Sequence, residues 1–319
     1  MKPPYQITTR IIELIASVSE KIGEVNSAHL HKPPSELRRK SRIKTIQASL
    51  EIEGNSLSQE QVTAILDNKR VIAPHREILE VQNAIRVYEN LESFKPASLT
   101  SFCKAHKILM NGLVATPGKL RSGSIGIMQG SAVTHIAPSA TMVKSLMNNL
   151  FEYLRYDKDL PLIKSCVFHY ETEFIHPFPD GNGRMSRLWQ TVILRKYSPL
   201  FEFLPVESLI KEKQHEYYRV IGEADNQGDS TGFIEFMLQI IDESLEALLT
   251  RQNVNLTGND RLETFREKTR GDSFTRKDYL RYFKEISSAT ASRDLREGAD
   301  RGILKKKGAR RTTQYRFNA

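Results

Sequence analysis

The sequence predicts a mainly α-helical protein, a helical body that carries one small β-hairpin and ends in a separate basic domain. Three observations predict it. Run after run places apolar residues three and four apart, the spacing that gathers them on one face of a helix. A single stretch, SIGIMQGSAVTHI (Ser124–Ile136), instead mixes β-branched residues with glycines around Gln129-Gly130-Ser131 and reads as a hairpin. The formal net charge of +9 lies almost wholly at the end of the chain, where from Asn259 to Ala319 17 Lys and Arg stand against 9 Asp and Glu.

In chain order the helical runs are IIELIASVSEKIGEV, LRRKSRIKTIQASLEIE, REILEVQNAIRVYENL, LTSFCKAHKILM, MVKSLMNNLFEYLRY and LIKSCVFHYETEFI. Breakers part them at Lys32-Pro33-Pro34, Gly54-Asn55, Ala73-Pro74, Pro117-Gly118 and in PFPDGNG, and the short loops suit a packed bundle. A polar, unperiodic stretch, NVNLTGN (Asn253–Asn259), marks a linker to the basic domain. At 319 residues the chain has room for two or three domains. The opening MKPPYQITTR is no secretory leader, and no apolar run reaches membrane-spanning length, so a soluble, cytoplasmic protein without membrane partners is expected. Cys103 and Cys166, each among apolar neighbours, read as reduced core residues.

The segment that carries chemistry is HPFPDGNGRMSR (His176–Arg187), where an apolar helix ends at a proline and a glycine-rich turn opens the next helix, MSRLWQTVILRKY. Backbone N–H groups at a helix start have no partner within the helix and sit at its positive end. Gly181 and Gly183 let that backbone approach an anion, which makes the turn a phosphate cradle. Arg184 and Arg187, three apart, share a face and suit the outer phosphates, while Asp180 offers a hard oxygen for Mg²⁺. His176 bears an imidazole, the side chain that titrates nearest neutrality, and so suits a general base.

Together these residues resemble the Fic family, whose pattern is H-x-F-x-[DE]-G-N-G-R-x-x-R, and every position of that pattern is met. The resemblance implies a Fic-type helical core with the hairpin as its flap, and an activity, protein adenylylation: AMP passes from ATP to a Tyr, Ser or Thr hydroxyl of a target protein and pyrophosphate leaves. It makes His176 the base and Phe178 the anchor of the loop. Asp180 would hold Mg²⁺, Gly181, Asn182 and Gly183 would form the anion hole, and Arg184 and Arg187 would take the β- and γ-phosphates. Doc-like kinases carry lysine at the position of Gly183, so this glycine favours AMP transfer. The flap, Arg121–Pro138, matches only loosely and is named as a region. His169 reads as a satisfied core histidine and His135 as a solvated loop histidine. The stretch from His215 to Leu238 resembles the family's closing helices, so Tyr217 or Tyr218 would line the adenine pocket; Tyr218 is the candidate taken, with core packing as the competing reading.

Upstream, Ser49-Leu50-Glu51-Ile52-Glu53-Gly54 fits the family's inhibitory pattern [ST]-x-x-x-E-[GN]. Ser49 and Glu53 share a helix face and Gly54 is a natural stop. The resemblance implies that Glu53 pairs with Arg187 where a γ-phosphate would go; in some relatives the same glutamate serves removal of AMP, and the sequence leaves both roles open.

In the basic tail, DRLETFREK, FTRKDYLRYF with Thr275 as N-cap, SSATASRDLREGADRG and GILKKKGARRTTQYRF give helix, helix, helix and hairpin, an order that resembles a winged helix-turn-helix. Thr290, Ser292, Arg293 and Arg296 would face a DNA major groove, and Lys305–Lys307, Arg310 and Arg311 the phosphates, with protein docking as the alternative. The expected domains are therefore 1–95 (helical, with the inhibitory motif), 96–252 (Fic core) and 259–319 (winged helix). The expected partners are a target protein, DNA through the tail, and, compatibly, a second copy in a homodimer. The rival class is a transcriptional regulator whose nucleotide site only senses ATP; it leaves the base, metal ligand and arginines without a task.

Overall fold

The computed structural model describes residues 3–27, 35–123, 126–129, 132–250, 257–269, 273–283, 286–308 and 313–318. The expected breaker at residues 32–34, the hairpin tip at 130–131, most of the linker (253–256) and the basic pair Arg310 and Arg311 lie outside these, as do the hairpin's side chains, that of His135 included. Internal contacts divide the chain into two units, residues 1–31 with 38–249, and residues 32–37 with 250–319.

Among the described residues, the regular elements of the first unit are helices and one hairpin. Its helices are α1 (Thr9–Ser27), α2 (Ser35–Glu51), α3 (Gln59–Leu66), α4 (His75–Glu89), α5 (Leu99–Leu109), α6 (Ala140–Tyr156), α7 (Pro161–Ile175), α8 (Asn182–Tyr197), α9 (Val206–Glu212), α10 (Gln214–Gln227) and α11 (Thr231–Thr250). Local chemistry sets several starts. Ser58 closes a capping box with Gln61 at α3, the Ser98 hydroxyl accepts from the Ser101 N–H at α5, and Pro161 opens α7 where its missing N–H costs nothing. Helix α7 buries residues on every side, from Leu162 through Phe168 to Ile175, so it lies at the centre and not on a face. Around it Phe102 stands edge-on to Phe168 (centroids 5.7 Å apart) and to Trp189 of α8 (5.0 Å), within one apolar core running from Ile11 to Leu245.

Strands β1 (Gly126–Gln129) and β2 (Ala132–Ile136) pair antiparallel, Gly126 opposite Ile136 and Gln129 opposite Ala132. The register slips between Ile127 and Met128, as at a β-bulge, which twists a two-stranded ribbon.

The second unit has its own core of Leu262, Phe265, Phe274, Tyr279, Phe283, Ala291, Leu295, Leu304 and Phe317. These come from α12 (Gly258–Thr269), α13 (Arg276–Tyr282), α14 (Ser288–Asp300) and the antiparallel pair β3 (Leu304–Lys307) and β4 (Gln314–Phe317), with a lone bridge from Phe274 to Tyr315 beside it. Thr275 and Asp278 form a capping box at α13, and the Ser287 hydroxyl caps α14. A buried pair, Arg261 and Asp294, binds at 2.7 and 3.0 Å. The chain is thus mainly helical with a small C-terminal two-stranded sheet, and among the described residues no helix is long and apolar enough to cross a membrane.

Candidate functional site

Helix α7 ends on His176, which sits in the left-handed region (φ 51°) that a non-glycine residue rarely takes. Its N–H still donates to the Thr172 carbonyl, and its Nδ1–H donates to the Glu173 carbonyl at 3.2 Å. Nε2 is then the basic nitrogen of the ring. The sharp turn throws the chain into Pro177 and Phe178, whose ring is wholly buried and stacked on Phe102 at 5.3 Å.

From Phe178 the loop is clasped shut. The Asn182 side chain accepts from the Phe178 N–H at 2.8 Å and donates to the Phe178 carbonyl at 2.9 Å. Thus the asparagine's amide fastens the loop, and only its backbone N–H is offered to the cradle. Gly181, with φ 83°, caps α8, and a Cβ there would stand 2.6 Å from the Met110 sulfur, so both conformation and space require glycine. The first-turn N–H groups of Asn182, Gly183 and Arg184 have no carbonyl to meet within α8.

Below the cradle lie the two arginines, both nearly fully buried. Arg187 donates from Nε to the Ser49 hydroxyl (3.2 Å), and from one terminal nitrogen to the Ser49 carbonyl (3.0 Å) and Glu53 Oε1 (2.8 Å). Burial is the largest single influence on Arg187 and opposes its charge, but Glu53, Tyr217 and Glu173 together outweigh it and hold the guanidinium firmly protonated. Glu53 sits just past the end of α2, in a turn closed by the Asn55 N–H on the Leu50 carbonyl, with Gly54 at φ 91°. The structure therefore brings Ser49 and Glu53 of the upstream motif onto Arg187, with Gly54 in the turn just past them. A Cβ on Gly183 would lie 2.5 Å from Glu53 Oε1, so the carboxylate rests directly against the cradle.

Asp180 is partly exposed at the mouth. Its Oδ1 accepts from the Gly181 N–H (2.6 Å) and from Arg184 (3.1 Å), and its Oδ2 faces Arg76 at 3.4 Å. Arg184 also reaches Glu80 at 3.4 Å, while its buried Nε meets no acceptor among the described residues. The other oxygen of Glu80 accepts from Asn55, the residue after Gly54. One carboxylate thus joins the turn that carries Glu53 to the arginine of the cradle.

Among the remaining candidates, Tyr217 and not Tyr218 is the core residue. Tyr217 is 1% exposed and meets His169 at 2.9 Å, whereas Tyr218 is 37% exposed, edge-on to Tyr217 at 5.3 Å. His169 is fully buried, with Nδ1 on Gln190 at 2.8 Å, and burial pushes its pKa down to about 3. Burial also raises the carboxyl of Glu173, which accepts from Ser186 and Tyr217.

Sequence reasoning passed over His106, Glu80, Arg76 and the side chain of Arg121. His106 lies flat on Phe178 (centroids 3.6 Å apart), accepts the Gly118 N–H at Nδ1 (2.8 Å) and therefore donates from Nε2 to the Asp180 carbonyl (3.0 Å). Burial pushes it down to about 4, so it stays neutral and keeps that tautomer. Arg121 Nε donates to the His176 carbonyl at 2.7 Å. Neither stands out in sequence: His106 lies between Lys104 and Lys107 and Arg121 two residues after Lys119, so each reads as part of an ordinary polar face.

Three comparisons bear on this geometry. The Fic/DOC family model matches residues 96–194, which include the flap, α7, the loop and most of α8. Protein adenylyltransferase Fic of Nematostella vectensis is 27% identical over 269 residues, 79% of this chain and 60% of that protein, and the Culex quinquefasciatus protein of the same name is 28% identical over 221 residues, 65% and 41%. The chain spans about half the length of such relatives. Among solved structures, Fic-1 (residues 134–508) from Caenorhabditis elegans shares the fold, with a TM-score of 0.63 at 21% identity over 76% of this chain and 73% of that one. A crystal structure of a Fic family protein from Desulfovibrio desulfuricans G20 is 40% identical and covers 100% of this chain and 99% of its own, with a TM-score of 0.76. With likeness at that level from end to end, and with the loop from His176 to Arg187 built as described, the chain belongs to the Fic family.

Proposed function

We propose that this chain is a protein adenylyltransferase, moving AMP from ATP onto a hydroxyl of a target protein. The observation that carries the reading is a single loop holding His176, with Nε2 as its basic nitrogen, against the bare first turn of α8 and two buried arginines. The hydroxyl oxygen attacks the α-phosphorus, the bond from that phosphorus to the bridging α–β oxygen breaks, pyrophosphate leaves, and Nε2 of His176 takes the hydroxyl proton. The N–H groups of Asn182, Gly183 and Arg184 would meet the phosphate oxygens, and Arg184 and Arg187 the outer phosphates. Tyr218, at the exposed edge, would flank the adenine.

Mg²⁺ fits the site through Asp180 alone. Among the described residues no cluster of three His, Cys, Asp or Glu side chains could hold a metal, and Mg²⁺ takes few protein carboxylates, with phosphate oxygens and waters for the rest. It would neutralise charge on the phosphates. Glu53 occupies Arg187, and we read it as a brake that keeps the γ-phosphate from its partner; the reaction belongs in the cytoplasm, where ATP and Mg²⁺ are plentiful.

The test is incubation with labelled ATP and Mg²⁺. Label should appear on the chain itself or on a target, and His176→Ala should abolish it while ATP binding and thermal stability stay close to those of the parent. Transfer by the His176→Ala protein would refute the mechanism.

For the second unit, the order α12, Phe274 bridge, α13, α14, β3, β4 supports a winged helix-turn-helix. Exposed Arg293 and Arg296 on α14, with exposed Lys305, Lys306 and Lys307 on β3, support duplex DNA as its partner. Ser292 accepts from Arg276 at 2.8 Å, which ties the start of α13 to that face of α14.

A further inference from the structure

Arg121 is 5% exposed, and among the described residues its guanidinium nitrogens donate only to main-chain oxygens. Nε donates to the His176 carbonyl at 2.7 Å, one terminal nitrogen to the Gly123 carbonyl at 2.9 Å, and the other to the carbonyls of Ile175 (3.1 Å) and Pro138. Its own N–H donates to the Pro177 carbonyl at 2.9 Å. Burial lowers the pKa of this guanidinium from its ordinary value, so the position is costly unless the bonds it makes serve a purpose.

The acceptors fall into two groups. Ile175 and His176 lie at the C-terminal end of α7, where helix carbonyls lack intrahelical partners and the dipole favours a cation. Gly123 and Pro138 are the two stems of the flap, just outside β1 and β2. One planar fork therefore bolts both stems of the hairpin to the backbone of the histidine. No ammonium can copy this, because lysine offers a point charge and three donors where the guanidinium fixes five in a plane.

We propose that Arg121 is a positioning residue that makes the flap and His176 one rigid unit, so that a hydroxyl held along the flap is registered against Nε2. The inference rests on the reading of His176 as the base. It deepens that reading, because the side chain spends its donors on main-chain carbonyls and so acts through the peptide that carries the base. A brace of this kind holds the left-handed turn at His176 against relaxation, and it fixes the distance from flap to base whatever the sequence of the target.

The test compares Arg121→Gln and Arg121→Lys with the parent in the full chain, by amide hydrogen exchange and by transfer of labelled AMP. In Arg121→Gln, exchange should quicken by at least about tenfold in residues 126–129 and 132–136 and at His176 and Phe178 together, while α10 and α11 are unchanged. Transfer should fall by about 30-fold or more in kcat with the KM for ATP within about twofold, and Arg121→Lys should restore little of it. Faster exchange in the flap alone, or in neither segment, would overturn the proposal, as would full transfer by either variant. A parallel loss of ATP binding and of stability in both variants would also overturn it, by making Arg121 a plain structural residue. Failure of the underlying reading shows elsewhere: His176→Ala would then retain transfer, while the exchange result on Arg121 stands independently.

Discussion

The Glu53 carboxylate accepts from Arg187 at 2.8 Å and leans on the loop at Gly183. On the proposed reading, a nucleotide bound beside it would forgo Arg187, and its α-phosphorus would lie out of line with the attacking oxygen. Glu53→Gly should raise transfer at least tenfold, about 1.4 kcal/mol of barrier, and adding Arg187→Ala should cancel the gain. Labelling by Glu53→Gly at or below the parental level, with the protein folded, would show that Glu53 is no brake; loss of a phosphodiesterase activity on AMP-modified protein would assign it to AMP removal. At this scale the geometry of the candidate site was legible in sequence wherever it rests on a fixed spacing. The loop from His176 to Arg187 and the Ser49–Gly54 turn are each continuous in sequence, and the structure seats one on the other. Arg121 and His106 were not legible, because their acceptors are main-chain carbonyls, which every residue has, and their partners lie 12 or more residues away in the chain, apart from Gly123.

Two elements carry most of the positioning. Helices α7 and α8 form a hairpin of helices whose connection is the loop, and because both are buried nearly all round, the loop inherits their rigidity. The apolar runs made these helices evident, yet the sequence did not show that the Asn182 side chain clasps Phe178 and leaves the expected anion-hole role to its backbone N–H. In the second unit, β3 places Lys305, Lys306 and Lys307 in a row of exposed side chains after buried Leu304. If these meet phosphates, changing all three to alanine should weaken duplex binding uniformly across sequences and flatten the slope of log affinity against log salt by about 2 to 3 units. A full chain that binds no duplex at low salt, or a triple variant with an unchanged slope, would favour a protein partner for this unit. Helix order was readable here, but the bridge from Phe274 to Tyr315 was not, since one pair of residues leaves no periodicity.

Over the whole molecule, buried ionisable groups set how stability varies with pH. Burial raises Glu207 to about 7, and the carboxyl lies behind Arg187 with Tyr88 as hydrogen-bond donor at 3.3 Å. Between its ordinary pKa near 4.5 and 7 the folded chain keeps a proton that the unfolded chain releases, so this group's contribution is complete below about 4.5 and is lost as pH rises through 7. His106 and His169, depressed to about 4 and 3, act oppositely: their contribution is present above about 6.5 and is lost as pH falls toward those values. Glu207→Gln should therefore gain on the parent as pH rises from about 4.5 to 7, by up to about 1.4 kcal/mol per unit while the unfolded carboxyl is ionised and the folded one still protonated, and gain no more above that. A melting-temperature difference that is constant across that range would contradict it.

The contact between Gly183 and Glu53 also limits the order in which such a protein can change. A methyl group at 183 would sit 2.5 Å from a carboxylate already pinned by Arg187, so Gly183→Ala in the parent must break that ion pair or strain the loop, whereas in a chain that has lost Glu53 the nearest neighbour left is the tip of the Arg187 side chain at 3.2 Å, which needs to give by only a few tenths of an ångström. The two positions are therefore coupled in any mutational path: loss of the acid can precede a side chain at 183, but the reverse order passes through a damaged intermediate. A double-mutant cycle would register this as an interaction energy of about 1 to 3 kcal/mol between Gly183→Ala and Glu53→Gly, and related chains that carry a side chain at the position of Gly183 should lack an acid in the place of Glu53.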